Sequence, residues 1–244
     1  PKWIFFDLDD TLFDFSSASL FSLRRLWDET SDIRDRFNSA DAFIDEYHIH
    51  NKHMWELHES GKITADFLKP ERFRLTIFPE RNDDNIRLAM RRLNDRYLLL
   101  LGECNTPVDG AKELLEELSQ KYLIGILTNG FTEVQYRKLN STGLNRYIQR
   151  MVISDEIGIQ KPDIRIFRHA EKETGAKHYE TIMIGDNPDN DIKGAIDAGW
   201  KAIFYDRKNK DFNSDSKLYL GKTSDLRHIT NIVLNFTDVF KMSS

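Results

Sequence analysis

The sequence has a single cysteine and lacks any long apolar run, and both features limit what the protein can be. With Cys104 alone, an internal disulfide or a zinc site made of cysteines is excluded, and we expect Cys104 to fill a small hydrophobic position. The longest apolar stretches, such as 97–101, fall far short of the ~18 residues that a membrane-spanning helix needs. No basic segment followed by an apolar one opens the sequence. These absences favour a cytoplasmic protein that has no membrane partner.

An excess of charge of one sign is lacking as well. Acidic and basic residues are interspersed along the chain, and the net formal charge is −5. This balance predicts neither a surface for a nucleic-acid polymer nor a polybasic membrane patch. The hydrophobic share of 40% and the charged share of 31% are ordinary for a globular protein, and 244 residues allow one large domain or two modest ones. No pattern in the sequence specifies an oligomeric state.

Five short apolar runs predict the strands of a parallel sheet. They are rich in Ile, Val and Phe and are continuous rather than alternating, as expected for strands that are buried on both faces. Segments with helical periodicity separate the last four runs, which predicts an α/β fold with a doubly wound parallel sheet. The predicted strands are Trp3–Phe6, Leu123–Leu127, Met151–Ile153, Ile182–Ile184 and Ala202–Tyr205, and the last two predicted helices are Asp191–Ala198 and roughly Ser224–Asn235.

The segment from about residue 15 to residue 105 contains no convincing strand. Its apolar periodicity predicts four or five amphipathic helices, including Ala18–Glu29, Asp41–Ser60, Ala65–Thr76 and Asn82–Leu101. An insert of this length is too large for a connection, so we expect it to pack as a unit of its own. We therefore predict a helical cap domain over 15–105 and an α/β core domain made of 1–14 and 106–244.

Polar side chains follow each of the first four predicted strands. Because ligands bind beyond the carboxyl ends of the strands in a doubly wound sheet, these side chains converge on one edge. Carboxylate oxygens suit a magnesium ion, and a hydroxyl group and a lysine suit phosphoryl oxygens, so the set predicts a site for Mg²⁺ and phosphate. The residues are Asp7 and Asp9 after the first strand, Thr128 and Asn129 after the second, Lys161 after the third, and Asp186 and Asp191 after the fourth.

Each of these segments taken alone has a simpler interpretation as a turn, a surface loop or a helix cap. It is their joint placement on one edge, in this order, that favours a functional site. Two neighbouring acids are expected to be structural. Asp10 stands where the chain must turn away from the first strand, and Asp189 is expected to cap the following helix.

The four segments resemble the four motifs of the haloacid dehalogenase (HAD) superfamily. Asp7-Leu8-Asp9-Asp10-Thr11 resembles its nucleophile motif, and the segments at Thr128, Lys161 and Gly185-Asp186 resemble the other three. The helical insert resembles the C1 cap of that superfamily, which implies a Rossmannoid core. The pyrimidine 5′-nucleotidase branch is resembled by Leu127–Phe131, Val152–Gly158 and Asn51–Trp55 with Gly61–Thr64.

The resemblance implies a role for each core residue. Asp7 would be the nucleophile and a magnesium ligand, Asp9 the general acid and base, and Asp9 would also bind the metal through its backbone carbonyl. Asp186 would complete the protein's share of the metal ligands, and Asp191 would hold a water molecule or Lys161. The phosphoryl oxygens would be bound by Thr128, Asn129 and Lys161.

The cap would supply substrate selectivity in such an enzyme. Asn51 and Trp55 are the candidate substrate contacts, and the ring of Trp55 could stack on a base, although packing within the cap is an alternative role for it. The implied substrate is a small phosphorylated metabolite, with a nucleoside 5′-monophosphate as the leading candidate.

Three alternatives remain open from the sequence. A 2-haloacid dehalogenase shares the fold but needs no metal, and it has no use for the carboxylates of Asp9, Asp186 and Asp191. A sugar-phosphate mutase would share all four motifs. A receiver-like phosphoacceptor domain would accept phosphate after its third strand, where Asp155 stands, but the helical insert and the acidic cluster after the fourth strand speak against it.

Overall fold

A computed structural model describes residues 2–241, with side chains described up to residue 235. The chain divides into two compact units. One, called here the α/β unit, consists of Pro1–Asp14 and Asn105–Ser244. The other, called the helical unit, consists of Phe15–Cys104.

The α/β unit is built on a parallel sheet of six strands, which confirms the predicted fold class. The order across the sheet is β3-β2-β1-β4-β5-β6, so the first strand lies near the centre, between the second and the fourth. Its four apolar residues are all buried, as expected for a strand that is covered on both faces. The strands are β1 (Trp3–Phe6), β2 (Leu123–Thr128), β3 (Arg150–Ile153), β4 (Thr181–Gly185), β5 (Lys201–Tyr205) and β6 (Tyr219–Thr223).

All five predicted strands are present, within one residue at each end, but the sequence prediction of only five was wrong. Strand β6 lies at the edge of the sheet and most of its residues are only partly buried. It also contains Gly221 and Lys222, so it lacks the continuous apolar pattern of the inner strands. An edge strand of this composition gives no signal that distinguishes it from a loop.

Helices flank the sheet within the α/β unit. Numbered along the whole chain, they are α6 (Ala111–Leu118), α7 (Thr132–Ser141), α8 (Ser154–Ile157), α9 (Ile164–Thr174), α10 (Gly194–Asp197) and α11 (Ile229–Lys241). Short 3₁₀ turns occupy Leu144–Tyr147, His178–Glu180 and Leu226–His228. The predicted last helix was placed about five residues too early, since α11 begins only after the third of these turns.

The helix after β4 differs from its prediction in both start and kind. A π-helix spans Pro188–Lys193 and continues into the short α10. The side chain of Asn187 accepts hydrogen bonds from the backbone N–H groups of Asp189 and Asn190. The prediction that Asp189 caps this helix was therefore wrong, because the cap lies two residues earlier, where its side chain reaches the first N–H groups.

The helical unit consists of five helices within Phe15–Cys104: α1 (Phe15–Glu29), α2 (Ser31–Arg36), α3 (Ala40–Glu59), α4 (Ala65–Ile77) and α5 (Asp84–Glu103). Three of them begin with a polar side chain that accepts a backbone hydrogen bond, from Ser39, Thr64 and Asp83. In the described part of the chain, no helix combines the length and the apolarity needed to cross a membrane.

Candidate active site

The candidate site lies where the order of the strands in the sheet reverses. The chain builds β2 and β3 on one side of β1 and then β4, β5 and β6 on the other, so the reversal lies between β1 and β4. Asp7 directly follows β1, and its backbone N–H donates to the carbonyl of Ile184 at 2.9 Å. Asp186 directly follows β4. A crevice at this position is where doubly wound sheets bind their ligands.

Lys161 lies at the centre of the site. Its side chain is 2% exposed, and its Nζ donates to Asp7 Oδ1 at 2.7 Å, to Asp191 Oδ1 at 2.6 Å and to the carbonyl of Leu127 at 2.8 Å. All three donor positions of the ammonium group are therefore used. The lysine joins the segments that follow β1 and β4 to the end of β2.

Both carboxylate oxygens of Asp191 are engaged within the protein. Oδ1 accepts from Lys161, and Oδ2 accepts from the backbone N–H of Asn187 at 3.0 Å. A Cβ at position 185 would collide with the same carboxylate, which accounts for Gly185 at the end of β4. Both oxygens of Asp191 are thus held in place by groups of the protein.

Burial and crowding by like charges shift the protonation equilibria of the site. Burial raises the pKa of Asp7 well above its ordinary value, Lys161 opposes this, and the carboxylates of Asp191, Asp186 and Asp9 add to it. Burial alone would lower the pKa of Lys161, but Asp191 and Asp7 outweigh it, so its pKa is raised and the ammonium keeps its charge. Burial, with the charge of Asp191, raises the pKa of Asp186 to about 6, against the opposing charge of Lys210.

Three carboxylates lie close enough together to hold a cation. Oxygen atoms of Asp7, Asp186 and Asp191 all lie within 4.8 Å of one another. Hard oxygen donors in this number suit a divalent ion such as Mg²⁺, and positive charge among them offsets their mutual repulsion. Lys210 also reaches this place, since its Nζ donates to the carbonyl of Asp186 at 2.7 Å and lies 3.7 Å from Asp186 Oδ2.

Thr128 and Asn129 stand at the end of β2. Thr128 is buried, and its hydroxyl oxygen accepts from Gln135 Nε2 at 2.7 Å, which leaves the hydroxyl proton to donate elsewhere. The side chain of Asn129 makes two hydrogen bonds to the backbone of Lys161, accepting from its N–H at 2.8 Å and donating to its carbonyl at 2.9 Å. Asn129 therefore fixes the backbone that carries the central lysine.

The carboxylate of Asp9 is held by two residues that the sequence analysis missed. Lys138 Nζ donates to Asp9 Oδ1 at 2.8 Å and lies 3.0 Å from Oδ2, and Gln135 Nε2 lies 3.1 Å from Oδ2. Both residues lie on α7 and are buried. The available signal was their position on the apolar face of that helix with Val134 and Leu139, where a buried polar residue calls for a partner.

Asp10 and Asp189 take no part in the cluster. Asp10 has a φ of 58°, in the left-handed region that turns use, and its backbone N–H donates to the carbonyl of Phe13 at 2.7 Å, in agreement with the expected turn. Its carboxylate pairs with Lys208 at 3.2 Å. Asp189 is exposed and pairs with Lys193 at 2.5 Å.

The two candidate substrate contacts of the helical unit lie on α3. Asn51 Oδ1 accepts from Arg72 at 3.0 Å and lies 3.4 Å from the hydroxyl of Tyr47, so its carbonyl oxygen is engaged within the unit. Trp55 is half-buried, and its ring contacts that of His58 edge to face, with 5.7 Å between the centroids. Their role toward a substrate stays a prediction.

Comparison with known proteins gives relatives for nearly the whole chain. Residues 1–199 match the family model described as haloacid dehalogenase-like hydrolase. The chain is 35% identical to the pyrimidine 5′-nucleotidase YjjG of Escherichia coli, over 81% of this chain and 82% of the relative. It is 32% identical to the pyrimidine 5′-nucleotidase PynA of Streptococcus pneumoniae (84% and 83%) and 30% identical to a glyceraldehyde 3-phosphate phosphatase of Methanothermobacter thermautotrophicus (83% and 84%).

Solved structures share the fold. The HAD-hydrolase YfnB of Bacillus subtilis, solved with bound magnesium, has a TM-score of 0.81 and 26% identity, with 95% of this chain and 97% of that chain covered. A 2-haloacid dehalogenase of Pseudomonas syringae has a TM-score of 0.69 and 21% identity, covering 96% and 99%, and at that identity it shows a common fold alone. The motif order, the α/β architecture and the family match agree, and the chain belongs to the haloacid dehalogenase-like hydrolase family.

Proposed function

We propose that this protein is a magnesium-dependent phosphomonoester hydrolase that works through an aspartyl-phosphate intermediate on Asp7. One observation carries the proposal. The buried Lys161 binds Asp7 and Asp191 at once, and a third carboxylate, that of Asp186, lies within 4.8 Å. Folding alone does not favour three like charges at this distance, whereas binding a cation and a phosphoryl group does.

The donor set fits Mg²⁺. With both oxygens of Asp191 bound to protein groups, the carboxylates of Asp7 and Asp186 and the backbone carbonyl of Asp9 are the ligands that we assign. When bound, the ion supplies positive charge that stabilises the ionised carboxylates and the developing charge of the transferred group. Asp191 would keep Lys161 in place from behind.

The residues then divide the chemistry between them. A carboxylate oxygen of Asp7 forms a bond to phosphorus while the bond from phosphorus to the leaving oxygen breaks, and Asp9 gives that oxygen a proton. Water next attacks phosphorus and passes its proton to Asp9. The bond between Asp7 and phosphorus breaks in this step, which frees inorganic phosphate.

Two hydrogen-bond donors and one cation would hold the phosphoryl oxygens. The hydroxyl of Thr128 has its proton left to donate, since its oxygen already accepts from Gln135. The ammonium group of Lys161 lies next to Asp7 and neutralises charge on the nucleophile and the transferred group. Because the Asn129 side chain is bound to the backbone of Lys161, the role that we assign to Asn129 rests on its backbone N–H.

A nucleoside 5′-monophosphate is the substrate class that we propose. Two relatives at 32–35% identity are named pyrimidine 5′-nucleotidases, and both are covered over more than four fifths of their length. We propose that the helical unit is the cap that selects the substrate, with Asn51 and Trp55 as its contacts. The relative that is named a glyceraldehyde 3-phosphate phosphatase makes sugar phosphates the first class to compare.

The alternatives are disfavoured by particular contacts. A dehalogenase needs no metal, yet Asp7 and Asp186 here belong to a carboxylate cluster suited to a cation. The acceptor that a receiver domain would use, Asp155, instead accepts hydrogen bonds from the backbone N–H and hydroxyl of Thr132 at 3.1 and 3.3 Å. It therefore serves the start of α7. A mutase would share the same core contacts, so the product decides between mutase and hydrolase.

The test is a screen of phosphomonoesters with and without Mg²⁺, in which inorganic phosphate is measured. Pyrimidine and purine nucleoside 5′-monophosphates, sugar phosphates and a 2-haloacid form the panel. We expect phosphate release from a nucleoside 5′-monophosphate that stops when the metal is chelated. Halide release without metal would make the protein a dehalogenase, and transfer of phosphate to a second sugar without net release would make it a mutase.

A further inference from the structure

Two buried residues of α7 connect parts of the site that the four sequence motifs leave unconnected. Gln135 Nε2 donates both to Asp9 Oδ2, at 3.1 Å, and to Thr128 Oγ1, at 2.7 Å. Its Oε1 accepts from Lys138 Nζ at 2.8 Å. The proposed proton carrier after β1 and the proposed phosphate ligand after β2 are thus tied together through one amide.

The space around this amide is reserved for it. Gln135 is fully buried, and a Cβ at position 130 would collide with its side chain. Gly130 therefore lets the side chain pass directly over the turn after β2. Gly130 is not among the glycines with a positive φ, so the close approach of the Gln135 side chain is what requires glycine here.

Lys138 is held as tightly. It is 2% exposed, it contacts both oxygens of Asp9, and its Nζ lies 5.5 Å from the centre of the Phe13 ring. An ammonium group is costly to bury, and it is retained in cores when it is paired and fully hydrogen-bonded. Its partner here is Asp9, whose own side chain is 26% exposed.

The contacts leave Asp9 with one acceptor position. A carboxylate offers about four lone-pair positions. Among the described residues, Lys138 and Gln135 occupy three of them, with two bonds from the lysine and one from the glutamine. The position that remains is on Oδ1, and the 26% exposure of the side chain leaves room for a water molecule or a leaving oxygen at the carboxylate.

We propose that Lys138 and Gln135 are positioning residues for the proton transfers of the reaction: they fix the Asp9 carboxylate between them and aim its one remaining acceptor position at the reacting oxygen. This inference rests on the proposed function. Neither residue touches the reacting atoms, and both act through Asp9. Holding a proton carrier in a productive geometry is worth a large factor in rate because misplacement by ~1 Å costs up to about 10²-fold.

The test uses Lys138→Met and Gln135→Met in the full chain, with Mg²⁺ and p-nitrophenyl phosphate as the probe. The leaving group of p-nitrophenyl phosphate departs without a proton. Loss of the positioning of Asp9 should therefore slow the breakdown of the aspartyl phosphate more than its formation. We expect kcat to fall about 10- to 100-fold in Lys138→Met and less in Gln135→Met, with KM changed by no more than about twofold. The acid-quenched phosphoenzyme in the steady state should rise in both variants.

Arg137→Met is the matched control, because it removes an exposed cation from the same helix. It should keep the wild-type kcat and phosphoenzyme level. If Lys138→Met does not fold, as judged by circular dichroism and thermal melting, the same measurements on Gln135→Met decide the question.

The outcomes separate this inference from the proposed function. If the wild-type protein turns over the probe and the variants keep kcat and the phosphoenzyme level, the positioning role is wrong and the proposed function stands. A loss of kcat of the expected size without a rise in phosphoenzyme would also contradict the positioning role, since a merely structural role predicts that result. If the wild-type protein releases no phosphate, the proposed function and this inference fall together.

Discussion

The buried Arg72 of the helical unit and the buried Lys161 of the α/β unit are surrounded by different groups. In the helical unit, the guanidinium of Arg72 donates to the amide oxygens of Asn51 and Asn94, at 3.0 and 2.8 Å. It also lies 5.2–5.8 Å from the centres of three aromatic rings, those of Tyr47, Phe73 and Tyr97. Neutral acceptors and ring faces stabilise a cation without crowding it.

In the α/β unit two buried carboxylates and one half-buried carboxylate crowd one another. Asp7, Asp186 and Asp191 bring oxygens within 4.8 Å, and Lys161 is shared between two of these carboxylates. Such a cluster is not in itself stabilising, and the raised pKa values of Asp7 and Asp186 express its cost. A buried charge alone therefore does not mark a site, whereas carboxylates gathered around a buried lysine at a sheet edge do.

Lys161→Met should have the largest effect on both stability and turnover. Removing the cation leaves Asp7 and Asp191 buried without their shared partner, which should lower the free energy of unfolding by about 3–5 kcal/mol. Turnover should fall by about 10²–10³-fold or more, because a charge next to the transferred group is lost. Urea unfolding and phosphate release measure the two effects. Lys172→Met, an exposed lysine on α9, is the control, and near-wild-type turnover in Lys161→Met would contradict the site.

Arg72→Met tests what the buried guanidinium contributes to the helical unit. The change leaves the buried amide oxygen of Asn94 and the half-buried amide oxygen of Asn51 without a charged donor, so we expect a loss of about 2–4 kcal/mol of stability. The core chemistry should be kept, and kcat per folded molecule should change by less than about threefold. Arg24→Met, in an exposed pair with Asp41 at 2.6 Å, should be nearly neutral. A large loss of kcat in stably folded Arg72→Met would mean that the helical unit's buried cation serves catalysis.

The pH dependence of the magnesium effect tests the crowding directly. Because the pKa of Asp186 is raised to about 6, the folded state binds this proton more tightly than the unfolded chain does. The resulting stability is fully present below the unfolded pKa and is lost as pH rises through about 6. A cation that binds the ionised carboxylates offsets this loss, so its stabilising effect should grow with pH.

We therefore expect Mg²⁺ at about 100 times its Kd to stabilise the protein by about 2–3 kcal/mol at neutral to mildly alkaline pH and by much less at about pH 5. Thermal melting with Mg²⁺ and with chelator at each pH measures this. Asp186→Asn should lose the magnesium effect, while Asp189→Asn, at an exposed acid three residues on, should keep it. An equal shift at both pH values would show that Asp186 does not titrate as described.

The smallest expected effect compares two neighbouring residues of the same segment. Asn187→Ala removes the side chain that accepts from the N–H groups of Asp189 and Asn190 and should cost about 1 kcal/mol. Asp189→Ala removes only an exposed pair with Lys193 and should cost less than about 0.5 kcal/mol. The reverse order of the two costs in denaturant unfolding would restore Asp189 as the cap.

The sequence predicted the core better than it predicted the helices that complete it. The fold class and the family were predicted and are confirmed, because the buried strands are continuous apolar runs and the motifs follow them directly. The prediction of a phosphatase is confirmed by the family and by the relatives named for phosphatase activity. The convergence of Asp7, Lys161 and Asp191 follows from the common direction of parallel strands.

The features that the sequence did not predict depend on which face of a helix packs on the sheet and on which strand lies at the edge of the sheet. Gln135 and Lys138 reach the site across more than 120 residues of sequence from Asp9, and only the packing of α7 on the sheet brings them there. Strand β6 is partly exposed, so no apolar pattern announced it. The π-helix after β4 begins at Pro188 and is capped by Asn187 rather than by Asp189, because the amide side chain of Asn187 reaches the first N–H groups.

The location of a trapped phosphoryl group tests directly whether Asp7 is the nucleophile. The wild-type protein and Asp7→Asn are mixed with Mg²⁺ and a phosphomonoester, quenched in acid during turnover and digested for peptide mass spectrometry. We expect one phosphoryl group on Asp7 in the wild-type protein, and neither label nor turnover in Asp7→Asn. A phosphoryl group on another residue, or undiminished phosphate release by Asp7→Asn, would contradict this expectation.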